Sequence, residues 1–182
     1  RRVVAPSEDT AARFRRQLPG LTVEVVPHEV FLAAGRPPAR STSGVARIAL
    51  LGAIGTHKGY RVLLDCARDA FRRKLRLEFV VVGFTEDDVR AARAGIFVTG
   101  PYSDGDLGAL LHREQPSAVF LASVWPETWS YALSHAIRSG LPIVAFDIGA
   151  IAERLRAEGT GTLLPLGLSP ALINDRLMQL CS

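Results

Sequence analysis

Cysteine, methionine, lysine and aromatic residues are all scarce in this 182-residue chain. Its two cysteines, Cys66 and Cys181, stand far apart with no ligand spacing. That excludes a disulfide framework and a cysteine metal site, and it suits a reduced, cytoplasmic chain. The histidines (His28, His57, His112, His135) are scattered, and none lies at metal-ligand spacing from another. The only lysines are Lys58 and Lys74, so a Schiff-base cofactor has few places to attach. No apolar run approaches the roughly 20 residues that cross a bilayer. The stretches Ile48–Ile54 and Ile143–Ile151 are short and interrupted by glycine, so they read as buried strands.

What is present fits a globular α/β protein. Hydrophobic residues make up 48% and charged residues 22%, ordinary values for a soluble domain with a sizeable core. Net charge is +4. Arginines gather at Arg13, Arg15 and Arg16, and again with Lys74 at Arg68, Arg72, Arg73 and Arg76. A basic balance suits a nucleotide, nucleic acid or acidic lipid; it suits equally the solvated faces of helices. The clusters lack interleaved aromatics, so no nucleic-acid partner is expected. The chain opens Arg1-Arg2-Val3, inside a pattern rather than ahead of one, which predicts a piece of a longer protein.

Strand and helix signals alternate. Val3–Ala5 and Leu21–Val26 read as strands around a helix over Glu8–Gln17 capped by Ser7. Ala33–Gly44 is rich in Pro, Gly and Ser and reads as a linker, so residues 1–44 close one unit and 45–182 form the main domain. In that domain strands are predicted at Arg47–Leu51, Leu77–Val82, Ile96–Thr99, Ala118–Val124, Ile143–Phe146 and Gly161–Leu164. Helices are predicted from Tyr60, over Glu86–Ala94, Asp104–Arg113, Trp129–Ser139 and Ala150–Ala157, and from Pro170. Apolar strands separated by helices imply a Rossmann-like, doubly wound parallel sheet with helices on both faces. Ligands of such sheets sit beyond the C-terminal strand ends.

Two loops carry the candidate chemistry. The first, Gly52 to Gly59 (GAIGTHKG), has glycines that admit a phosphate near a helix N-terminus, with Lys58 as a mobile cation. It also fits a plain strand–helix turn, and it has neither P-loop nor dinucleotide spacing. The second, Trp125 to Tyr131 (WPETWSY), places Glu127 ahead of the amides of Trp129, Ser130 and Tyr131 at a helix start. Those amides suit diphosphate oxygens, and the carboxylate suits sugar hydroxyls. A carboxylate there also stabilises a helix N-terminus by about 0.3–1 kcal/mol. The two flanking tryptophans exceed what a cap needs.

Together, G-A-I-G-T-H-K-G, P-E-T-W-S, G-L-P and D-I-G-A-I-A-E-R resemble the C-terminal half of family 4 retaining glycosyltransferases of the GT-B fold, from Arg47 to about Leu180. The resemblance implies a nucleoside-diphosphate-sugar donor, no metal and no cofactor. It implies that Lys58 contacts the diphosphate, that Glu127 binds donor sugar hydroxyls, and that the backbone near Ser130 and Tyr131 holds phosphate. It places Gly52 and Gly55 in the phosphate loop, and Gly100 and Tyr102 near the base. Trp129 belongs to the same helix-start loop. The acceptor site would lie on an N-terminal domain absent from this chain, with peripheral contact at the inner membrane face where the acceptor is lipid-linked. The chain departs from the family twice. Ala53-Ile54 stands where an arginine is usual, and His135 stands where a second carboxylate binds ribose; His135 can still donate or accept a hydrogen bond. A GT-B epimerase or phosphorylase, and a non-enzymatic basic binding module, remain alternatives.

Overall fold

Ser7 starts the first helix as its residue type predicts, its hydroxyl accepting from the Thr10 amide at 3.3 Å. The structure, a computed structural model, describes residues 2–29, 37–38 and 44–181, the side chain of Asp104 excepted. The expected linker therefore lies almost wholly outside the described residues. Strands β1 (Val3–Ala5) and β2 (Val23–Val25) pair in parallel around helix α1 (Glu8–Gln17). Their apolar core is small, formed by Ala5, Ala11 and Val23.

The main sheet holds β3 (Ala46–Ile54), β4 (Leu77–Thr85), β5 (Phe97–Val98), β6 (Ala118–Leu121), β7 (Ile143–Phe146) and β8 (Thr162–Leu164). All pairs are parallel, in the spatial order β5-β4-β3-β6-β7-β8. Helices α2 (Tyr60–Arg73), α3 (Asp88–Arg93), α4 (Leu107–Glu114), α5 (Tyr131–Ser139), α6 (Gly149–Ala157) and α7 (Pro170–Cys181) follow the successive strands. The chain thus winds outward from β3 to one edge, then returns and winds from β6 to the other. The order reverses between β3 and β6, and that switch point is where a doubly wound sheet opens a crevice.

Period-two alternation within β3 buries both faces. Ile48 and Leu50 pack with Leu63, Leu64 and Ala67 of α2 and with Ile173 and Leu177 of α7. Ala49 and Leu51 pack on the opposite face with Leu133 and Ile137 of α5 and Ile151 and Leu155 of α6. A buried polar bridge joins α7 to α2. The Asn174 amide donates to the Cys66 carbonyl and to the Asp69 carboxylate, both at 2.9 Å.

The fold class matches the expectation, but four element ends near the crevice differ. Strands β3 and β4 run on through Gly52 and Gly83, which are register partners, to Ile54 and Thr85. A Cβ on Gly83 would meet the Gly52 carbonyl oxygen at 2.1 Å, so only glycine lets the strands continue side by side. Gly52 is therefore a strand residue, and the loop after β3 starts beyond Ile54. Strand β6 stops at Leu121, because Val124 gives its amide to the His57 carbonyl (3.0 Å) instead of a strand neighbour. Helix α5 begins at Tyr131 with Ser130 as its cap, so Trp129 lies before the helix.

Candidate functional site

The two loops leaving the switch point face one another. After β3 a single 3₁₀ turn (Thr56–Lys58) leads through Gly59 into α2. Gly59 has φ +83°, and a Cβ there would lie 2.1 Å from the Ala122 carbonyl oxygen. That close approach, with the Val124–His57 bond, fastens the lysine loop to the segment after β6.

Lys58 Nζ lies 3.9 Å from Glu127 Oε2. The Glu127 side chain is 16% exposed, and its other oxygen accepts from the buried Ser123 hydroxyl. The Glu127 carbonyl accepts from the Ala150 amide at 3.0 Å, so the start of α6 holds this loop in place. Ser130 is buried, and its hydroxyl accepts from the Leu133 amide at 3.4 Å. The amides of Tyr131 and Ala132, one turn from Glu127, then have no intrahelical partner. Between Lys58, Ser123, Glu127 and Ser130 lies a cavity of about 10 Å³, floored by Leu51 and Phe120. It has room for about one water. The lysine and the carboxylate close it against each other.

The other expected site residues stand elsewhere. Gly55 flanks the lysine turn, its carbonyl accepting from the Lys58 and Tyr60 amides at 3.0 and 3.1 Å. Gly100 follows β5, its amide bonded to the Gly83 carbonyl at 2.9 Å, and the half-buried Tyr102 packs on the α4 side of the sheet. Tyr131 is exposed, its hydroxyl 3.3 Å from His28 Nδ1. His135 lines a groove between α4 and α5 with Leu107, Leu111 and His112, away from the Lys58–Glu127 cavity. Of the expected residues, only Lys58, Glu127 and Ser130 line that cavity.

Trp129 turns toward the β1–α1–β2 unit. Arg154 lies over its ring, 4.0 Å from the centroid, and its indole N–H donates to Glu29 at 3.4 Å. Arg154 also donates to the Ser130 carbonyl and the Ser134 hydroxyl, both at 2.9 Å. Burial pulls the Arg154 pKa down, yet a guanidinium keeps its charge. Burial also works to raise the Glu29 pKa, but hydrogen bonds from Ser134, Trp129 and Arg138 outweigh it and hold the carboxyl below its usual range. Glu153 caps α1, accepting from the Glu8 and Asp9 amides at 2.9 and 2.6 Å.

Sequence reading passed over Ser123, Arg154 and Glu29. A serine four residues before Glu127 was the available signal for the first. The other two act across long sequence separations that carry none. Among the described residues, no group of three or more His, Cys, Asp or Glu side chains is placed to hold a metal ion. Nor is any described helix long and apolar enough to cross a membrane.

Solved structures share this fold. TarM of S. aureus superposes with a TM-score of 0.77 at 17% identity, over 99% of this chain and 36% of TarM. Anabaena Alr3699/HepE, solved in complex with UDP-glucose, gives 0.70 at 18% identity, over 98% of this chain and 53% of HepE. The lipopolysaccharide outer core galactosyltransferase WaaB gives 0.67 at 17% identity, over 97% of this chain and 51% of WaaB. The chain thus spans about a third to a half of the length of these proteins, and at such identities the likeness shows the fold. No curated protein matches the chain. The sequence model of the family described as glycosyl transferases, group 1, matches residues 46–182, three-quarters of the chain and all of the six-stranded sheet. On that match the chain belongs to the group 1 glycosyl transferases.

Proposed function

We propose that this chain is the donor-binding part of an enzyme that moves a sugar from a nucleoside diphosphate to an acceptor. One observation carries the reading: Lys58 and Glu127 meet 3.9 Å apart at the switch point of the sheet. There a cation and a carboxylate from two different loops address two parts of one ligand. A diphosphate draws Lys58 away from Glu127 and takes the Tyr131 and Ala132 amides at the positive end of α5. Glu127, released from the lysine, accepts hydrogen bonds from sugar hydroxyls, with Ser123 fixing its orientation.

As the glycosidic bond breaks, negative charge grows on the departing diphosphate. Lys58 and the helix amides stand ready for it, and preorganised donors of this kind usually contribute more to such catalysis than any other single effect. This chemistry needs no cofactor. That HepE was solved with UDP-glucose, and the pneumococcal O-GlcNAc transferase GtfA with UDP and GlcNAc, supports a nucleotide-sugar donor. In this reading Gly100 and Tyr102 face the base, and His135, on α5 at the place of the ribose carboxylate, offers a single hydrogen bond in its stead. The acceptor site lies on a further domain, so this chain alone binds donor and transfers little.

Calorimetry of the purified chain against UDP and UDP-glucose tests the reading. Binding of either ligand, weakened in Lys58→Ala, supports it. No binding of either, or identical binding by Lys58→Ala and Glu127→Ala, overturns it.

A further inference from the structure

The two tryptophans beside Glu127 have different fates. Trp129 is used by the fold, with Arg154 over its face and Glu29 on its N–H. Trp125 is 61% exposed. Its one ring neighbour among the described residues is His57, with centroids 5.5 Å apart and planes tilted by 55°. His57 immediately precedes Lys58, and Trp125 lies two residues before Glu127, so the indole stands beside the loops that carry the lysine and the carboxylate.

The backbone that carries the indole is also held in place. Val124, just before it, is bonded to the His57 carbonyl, and Glu127, two residues after it, accepts from the Ala150 amide. Pro126 between them has a fixed φ. A large, costly, water-exposed side chain on a pinned backbone is a poor structural element and a good binding element.

The chemistry of the neighbours says what it binds. A pyranose ring has hydroxyls around its edge and a patch of C–H groups on its face. The edge needs hydrogen-bond acceptors, which the Glu127 carboxylate supplies, held in orientation by the Ser123 hydroxyl. The face needs an electron-rich apolar plane, which an indole supplies. We propose that Trp125 is the stacking platform for a pyranose ring at this crevice, with His57 bracing the indole from behind. The proposal rests on the glycosyl-transfer reading and adds its sugar-discriminating surface. The ring belongs either to the donor or to a sugar acceptor entering over the rim.

The test measures the affinity of the purified chain for UDP, for UDP-glucose, and for glucose in the presence of UDP. Wild type is compared with Trp125→Ala and Trp125→Phe. A donor ring on the platform makes Trp125→Ala bind UDP-glucose about tenfold more weakly, with UDP unchanged and Trp125→Phe restoring most of the loss. An acceptor ring leaves UDP-glucose unchanged and abolishes the binding of glucose to the UDP-loaded chain. The unchanged UDP affinity shows that the variant is folded. Equal behaviour of Trp125→Ala and wild type in every arm overturns the proposal while the donor reading stands. Equal weakening of UDP and UDP-glucose also overturns it. A wild-type chain that binds none of the probes overturns both. Because Trp125 and Trp129 are the only two tryptophans, Trp129→Phe leaves Trp125 as a single fluorophore. Its emission shifts on adding the sugar-bearing ligand if the indole is covered; an emission that stays constant at saturation contradicts the assignment.

Discussion

Val124 donates its amide to the carbonyl of His57 at 3.0 Å, joining the end of the segment after β6 to the turn after β3. The two halves of the candidate site are thus one backbone-bonded unit, although Lys58 and Glu127 are far apart in sequence. The packing of Gly59 on Ala122 is the second fastening of that unit. In Gly59→Ala the new methyl collides with backbone, at a φ that side chains rarely adopt. The expected cost is about 1–3 kcal/mol. Thermal melts should show a transition roughly 5 °C lower, and UDP should bind more weakly. An unchanged melting temperature would show that the two loops are not fastened here.

Lys58 and Glu127 should separate in their ligand preferences. Lys58→Ala removes a charged partner of the diphosphate, worth about 1.5–3 kcal/mol, and weakens UDP and UDP-glucose alike. Glu127→Ala removes contacts to the sugar and frees Lys58, so UDP binding holds or improves while UDP-glucose weakens. Titration of both variants with both ligands measures the split. Parallel losses in the two variants would contradict the assigned roles.

Glu29 ties the residues ahead of the main domain to α5. Its folded pKa is depressed, so its contribution is fully present above the ordinary glutamate value, about 4.3. That contribution is lost as pH falls through the lower folded value. Trp129 emission, read in Trp125→Phe, should change in that acid window as the Glu29 contact fails. Glu29→Gln should flatten the change. An identical acid profile in Glu29→Gln would assign the transition to another group.

The two thiols should differ sharply in reactivity. Burial, followed by the charges of Asp65 and Asp69, pushes the Cys66 thiol up to about 12, while Cys181 is half-buried near the end of α7. Alkylation at pH 8 should label Cys181 first and reach Cys66 only on unfolding. The raised thiol also costs stability in base. Folding loses ground as pH rises past the ordinary thiol value, about 8.5, toward about 12, because only the unfolded chain ionises. Rapid double labelling of native protein would contradict the buried placement.

Much of the sheet was legible because its strands are short apolar runs between helical patterns, and β7 begins and ends where the sequence put it, Ile143–Phe146. The doubly wound class followed from that alternation. Glycine misled at β3 and β4. Gly52 and Gly83 read as breaks, but the two are register partners, and the missing side chain at Gly83 is what lets the ladder run on past the Gly52 carbonyl. The start of α5 was misplaced by two residues because Pro126 and Glu127 look like a helix entrance. Ser130, the better cap by residue type, sits further on and takes the role. The meeting of the loops that carry Lys58 and Glu127 followed from their place beyond the C-terminal strand ends; the ion pair between the two side chains did not. The arrangement around Trp129 was not, because Arg154 and Glu29 reach it from other elements and leave no local pattern.

The crevice lies over a short seam in the sheet. Strands β3 and β4 run together from Ala46 beside Leu77 to Ile54 beside Thr85, whereas β3 and β6 are matched only at Ile48–Ala118 and Ala49–Val119. A molecule gripped by Lys58 on one bank and Glu127 on the other works as a stitch across that seam. Occupancy should therefore stiffen the whole domain more than its contact area suggests, and slow amide exchange in β6 should report the stitch before any catalytic assay does.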